Sequence, residues 1–145
     1  MCTHLKAIER AFGIDFWRDK RIRAGDYWTT RIEQAIRDAR IHLLLITPRF
    51  IERAYIMEHE LPAINAKYRN QGDLVVPIVL DRCTWKPFVS ALQAVPMSPQ
   101  GRLLPVSEWK PQAHGFHSSC EQLQEALEAF LGITPGDVFD WSRAP

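Results

Sequence analysis

A single carboxylate, Glu60, stands in the helical stretch Tyr55-Ile56-Met57-Glu58-His59-Glu60-Leu61-Pro62, just beyond a strand that closes with Leu45-Ile46-Thr47-Pro48. Upstream, a strand-like run ends in Phe16-Trp17-Arg18-Asp19-Lys20-Arg21-Ile22-Arg23-Ala24-Gly25-Asp26. This order places Glu60 near the carboxyl ends of two neighbouring strands, where open α/β sheets bind their ligands. Glu58 is the rival acid. Two positions away on a helix it points elsewhere, whereas on an extended segment both acids would face one side. A helix glutamate is by itself most often a solvated charge, so the flanking segments carry the functional reading.

The remaining chemistry-bearing residues are weaker signals. Arg18, Lys20, Arg21 and Arg23 follow a strand end, as an anion-binding loop or as a solvated basic loop. Trp17 and Tyr55 can stack on a flat ring, but an aromatic beside an apolar run also serves a core. Thr47 can cap the next helix or reach a ligand. His114 and His117 lie three apart with no carboxylate or cysteine to complete a metal set. The chain has neither a Gly-x-Gly-x-x-Gly fingerprint nor a Walker loop.

The elements that must position these groups alternate. Leu5, Ile8 and Phe12 recur at helical spacing, and Gly13 ends that helix. Ile14 to Trp17 reads as a short strand. Asp26 is a candidate cap for a helix to about Ala39, with Trp28, Ile32, Ala35, Ile36 and Ala39 on one stripe. Ile41 to Ile46 is nearly all apolar, as a strand covered on both faces would be, with His42 its one polar member. A helix covers part of 50–69, interrupted or begun near Pro62. Leu74 to Leu80 is a second buried-type strand, and Pro77 predicts an edge position or a bulge. Residues 81–115 are proline-rich and irregular, with a short strand at Leu103 to Val106; Trp85 and Trp109 read as anchors for these loops. Ser118 to Leu131 is a final amphipathic helix, and 133–145 reads as a tail or linker. Strands separated by helices imply a parallel α/β sheet covered on both sides.

Bulk properties fit one globular domain. The chain has 145 residues, 46% apolar and 24% charged, with a net charge of +1, so nothing draws it to nucleic acid or an anionic membrane. Its longest apolar run is too short for a bilayer span, and the start lacks the pattern of a signal peptide. Three scattered cysteines, Cys2, Cys83 and Cys120, read as free thiols in a reducing cytoplasm.

Taken together, these segments resemble the Toll/interleukin-1 receptor (TIR) domains of the prokaryotic type. The likeness rests on Trp17 to Asp26, Ile46-Thr47-Pro48-Arg49-Phe50, Tyr55 through Glu60-Leu61, Val75 to Leu80, Ala94-Val95-Pro96, Val106-Ser107-Glu108-Trp109 and the last helix, covering roughly residues 4–131. It implies a flavodoxin-like three-layer parallel sheet over 1–132. Family members usually start with a strand that is absent here, so the fold is expected to be N-terminally truncated. Many members also place tryptophan four residues before the glutamate, whereas Tyr55 lies five before Glu60.

Function follows from the resemblance as an expectation. Many TIR domains cleave the N-glycosidic bond of NAD and release nicotinamide, which assigns Glu60 as the catalytic carboxylate and Trp17, Asp19, Arg21, Thr47 and Tyr55 as substrate-binding residues. NAD enters as a substrate, and no cofactor or metal is implied. The setting implied is antiviral defence, with self-association through TIR–TIR contacts and neither nucleic acid nor membrane as partner. A non-catalytic TIR–TIR interaction module is the alternative, and a deoxyribosyltransferase-like enzyme a more remote one.

Overall fold

The computed structural model describes residues 2–16, 28–89 and 92–132. The elements in chain order are α1 (Cys2–Phe12), α2 (Trp28–Asp38), β1 (Ile41–Ile46), α3 (Pro48–Glu52), a π-helical turn (Ile56–Glu60), α4 (Leu61–Gln71), β2 (Leu74–Val79), α5 (Lys86–Val89), a 3-10 turn (Val106–Glu108) and α6 (Gln112–Leu131).

The two branched apolar runs form the sheet. β1 and β2 pair in parallel, from Ile41 opposite Leu74 to Ile46 opposite Val79. Successive side chains of a strand point to opposite faces, and the core divides accordingly. On one face Val76 and Ile78 pack with Leu5, Ile8 and Phe12 of α1 and Cys120, Leu123 and Leu127 of α6. On the other, Leu44, Ile46, Val75 and Val79 pack with Ile64 of α4 and Val89 of α5, and Ile36 of α2 lies against them. The result is the expected α/β arrangement of helices, parallel sheet and helices.

Pro77 sits within β2 without a bulge in the ladder. The amides of Leu74 and Leu80 donate towards β1, to Arg40 and Ile46 oxygens, whereas that of Val79 donates away from it, to Val95 O. By this alternation Pro77's missing N–H lies on the side away from β1. There, among the described residues, β2 pairs only at Val95, whose amide uses the Pro77 carbonyl. That side of the strand is nearly an edge, so proline is tolerated.

Three boundaries differ from expectation. Ile14 to Phe16 forms no strand: the amides of Ile14 and Phe16 turn back to the backbone oxygen and side chain of Glu9, at 3.1 and 2.8 Å. Ile14 and Phe16 still pack against the core, so their apolar character reflects burial rather than sheet pairing; Trp17 lies outside the described residues. The strand expected at Leu103 to Val106 is reduced to a bridge between Leu103 and Met97, with Val106 opening the 3-10 turn. α6 starts at Gln112, not Ser118, and Gly115 lies inside it because of packing. A Cβ there would stand 2.8 Å from Trp109 Cδ1. Trp109 closes against that gap and donates its indole N–H to Leu104 O at 2.7 Å, which pins the loop as expected.

Beneath α2 and α4 lies a buried polar cluster. Asp73, at the entry to β2, is 2% exposed. His42 Nε2 lies 2.9 Å from its Oδ2, and Lys67 Nζ lies 3.2 Å from the same oxygen. Lys67 also donates to the carbonyls of Ile36 at 2.9 Å, Arg37 at 2.6 Å and Ala39. The last carbonyls of an α-helix have no partner within it, so Lys67 of α4 caps the end of α2 from outside. Burial alone would raise the Asp73 pKa, but the bonds from His42 and Lys67 and the charge of Lys67 hold it below the ordinary 3.8. Burial pushes His42 below its ordinary 6.5, against the pull of Asp73.

The pH dependence follows. As pH falls below 6.5 the unfolded chain takes up a proton at His42 before the folded chain does, so stability falls as pH falls, by up to about 1.4 kcal/mol per unit for one proton, until folded His42 protonates as well. Asp73, with its lowered folded pKa, adds a loss below 3.8. Thermal unfolding of wild type and His42→Gln is expected to show a slope below pH 6.5 that is shallower in the variant; equal slopes would show that His42 does not drive it.

Candidate functional site

Pro62 governs the local backbone around Glu60. A proline inside a helix lacks an N–H, and its ring crowds the carbonyl four residues earlier. The helix absorbs this by widening into the π-helical turn Ile56–Glu60, with the Leu61 amide reaching back five residues to Ile56 O. The chain thus passes Pro62 without interruption and continues as α4. Such turns are rare and occur frequently at functional sites.

The widened turn also sets side-chain direction. Residues five apart would diverge on a regular α-helix, but the extra residue brings Tyr55 and Glu60 to one face. Both line a cleft of about 360 Å³, with Glu33, Ile36 and Arg37 of α2 and His59, Ala63 and Lys67 of the π-turn and α4. The Tyr55 and His59 rings pack 5.0 Å apart at 35°. Among the described residues the cleft is walled by two helices and not by strand ends. This departs from the expected position because Glu60 lies part-way down the helix that returns from β1 to β2.

Of the expected site residues, Tyr55 and Glu60 come together here. Thr47 does not line the cleft. Its hydroxyl accepts from the Phe50 amide at 3.1 Å and caps α3. Trp17, Asp19 and Arg21, with Arg18, Lys20 and Arg23, lie outside the described residues. Glu58 is exposed and absent from the lining. His117 pairs with Glu121 on the α6 surface at 3.0 Å.

Glu33, Arg37, His59 and Lys67 of the lining are not singled out by the sequence. The signal was present in the periodicity: Glu33, Ile36 and Arg37 share a helical face, and Lys67 follows Glu60 by two turns. Electrostatically, burial and then the charges of Glu33 and Glu60 hold the Tyr55 phenol above its ordinary 10. It is therefore a neutral hydroxyl at physiological pH, able to donate to a sugar or carbonyl oxygen. Burial likewise raises the thiols of Cys83 and Cys120, which makes them poor nucleophiles.

Comparison with known proteins supplies the family context. A family model described as TIR domain matches residues 3–105. The chain is 29% identical over 124 residues to the uncharacterized protein y4lF of Sinorhizobium fredii (strain NBRC 101917 / NGR234), covering 84% of this chain and 37% of that protein. It thus spans just over a third of that relative's length. No solved structure matches it. Among the described residues no helix is long and apolar enough to cross a membrane.

Ultraviolet titration of the chain against Tyr55→Phe is expected to place the Tyr55 midpoint above 10, and Glu33→Gln to move it down. A midpoint unmoved by Glu33→Gln would show that this carboxylate does not reach the cleft.

Proposed function

The chain belongs to the TIR domain family, and from that premise we propose that it cleaves NAD at the bond between nicotinamide and ribose, with Glu60 as the catalytic carboxylate. The observation that carries this reading is the joint presence of Glu60 and Tyr55 on one wall of a cleft, brought there by a π-turn.

The chemistry suits a single acid. Most glycosidases use two carboxyl groups, one of them to protonate the leaving oxygen. Nicotinamide instead leaves a pyridinium as a neutral ring: the C1′–N bond breaks and its electron pair returns to the ring nitrogen. No general acid is needed. What requires stabilisation is the positive charge developing on the ribose, and a fixed carboxylate beside C1′ supplies it. The same carboxylate can accept hydrogen bonds from the ribose hydroxyls, and the Tyr55 phenol can donate one. Attack of water at C1′, with loss of a proton, gives ADP-ribose; attack by the adenine gives a cyclic product. The implied setting, NAD loss in a phage-infected cell by self-associated copies, belongs to the same proposal.

A second reading, a non-catalytic module for TIR–TIR contact, is favoured by β1. Among the described residues it pairs on one side alone, and Leu45 is 38% exposed.

Incubation with NAD and measurement of nicotinamide decides between them. The chain is expected to release nicotinamide, and Glu60→Ala to lower the rate by about 10²–10³-fold, the range for removing one preorganised electrostatic partner. Equal release by both would remove Glu60 from the reaction. Release by neither would leave the interaction module.

A further inference from the structure

The cleft holds a second acid and a base that the cleavage step does not use. Glu33 and Arg37 are both exposed residues of α2 that line it. Among the described residues neither has an ion-pair partner. Arg37 follows Glu33 by one turn, about 6 Å along the axis.

The helices give the cleft a polarity. α2 leads into β1 and the π-turn and α4 lead into β2, and those strands are parallel, so the two helices run in the same direction. Charges follow the same order on both walls, with Glu33 and Glu60 first and Arg37 and Lys67 last. Lys67 bonds to the Ile36 and Arg37 carbonyls, which fixes the register between the walls. One end of the cleft is therefore anionic and the other cationic.

At the cationic end the two bases are not equivalent. Lys67 is committed to Asp73 and to α2 carbonyls, leaving the Arg37 guanidinium to meet a ligand. A guanidinium fork matches phosphate oxygens in geometry as well as charge. The negative end of the α2 dipole would oppose an anion there, but Lys67 covers those carbonyls. The cavity of about 360 Å³ is near the lower end of the ~300–1,000 Å³ range for small-ligand pockets. It suits a ring and a sugar rather than a whole dinucleotide.

Resting on the NAD-cleaving reading, we infer that Glu33 and Arg37 read the nicotinamide mononucleotide half of the substrate. Glu33 faces the cationic pyridinium–ribose end across from Glu60, and Arg37 holds the phosphate. Glu33 thereby favours the oxidised, positively charged ring over the reduced, neutral one. Arg37 favours nucleotides over nucleosides.

Calorimetric titration tests this with nicotinamide riboside, nicotinamide mononucleotide and its reduced form, using the full chain carrying Glu60→Gln to suppress turnover. The mononucleotide is expected to bind about tenfold tighter than the riboside, the worth of one charge-assisted contact, and Arg37→Met to abolish that preference while leaving riboside affinity in place. Glu33→Gln is expected to narrow the preference for the oxidised over the reduced mononucleotide. A mononucleotide preference that survives Arg37→Met, or no binding of either compound, overturns the inference. If the unmodified chain still releases nicotinamide from NAD in that case, the cleavage reading stands without it. Arg37-dependent binding without any release from NAD would keep the ligand assignment and remove the cleavage reading.

Discussion

The site depends on one buried lysine. Lys67 reaches from α4 to the open end of α2 and to Asp73 at the entry to β2, and so joins two helices and the sheet through a single ammonium group. Burying an ammonium and a carboxylate costs several kcal/mol each, recovered only when the remaining hydrogen bonds are made. Here Lys67 spends its donors on carbonyls that a helix end leaves unpaired. Asp73 Oδ2 accepts from His42 and pairs with the Lys67 ammonium, and among the described residues its buried Oδ1 has only the Arg40 Nε at 3.5 Å. An apolar residue at 67 would strand Asp73 and reopen the end of α2 together. The arrangement fixes how α2 lies against α4.

That fixed register matters because the cleft is made of those two helices. A carboxylate accelerates glycosidic cleavage only if it is already in place when charge develops, since reorganisation would cost what stabilisation provides. In the proposed reaction Glu60 is held by a π-turn on one wall, and the opposite wall is anchored to it through Lys67. The turn also accounts for the spacing between the aromatic and the acid. Tyr55 lies five residues before Glu60, and a turn one residue wider than that of an α-helix gives the two a shared face.

The sequence announced the layers more clearly than the site. Ile41 to Ile46 and Leu74 to Val79 were legible because runs of branched apolar residues have few other uses. The ends of elements were less so. Ile14 to Phe16 looks like a strand because its two apolar residues alternate, yet their partial burial against the core needs no ladder. α6 begins at Gln112, six residues before the Ser118 expected from the sequence, and Gly115, a poor helix former, is accommodated inside it against the Trp109 ring. Pro62 suggested a break, whereas the backbone widened. Glu60 and Tyr55 were found through a resemblance in motif order. Glu33, Arg37 and Lys67 were not, because their meaning depends on a pairing of helices that no single segment encodes.

Amide hydrogen exchange on Lys67→Met probes this dependence most directly. If Lys67 fixes α2 against α4, protection is lost selectively in the last turn of α2 and around Asp73, while β1 and α6 keep theirs in the folded chain. Unchanged protection at the end of α2 would contradict the account, since the two walls of the cleft would then be held in register by something else.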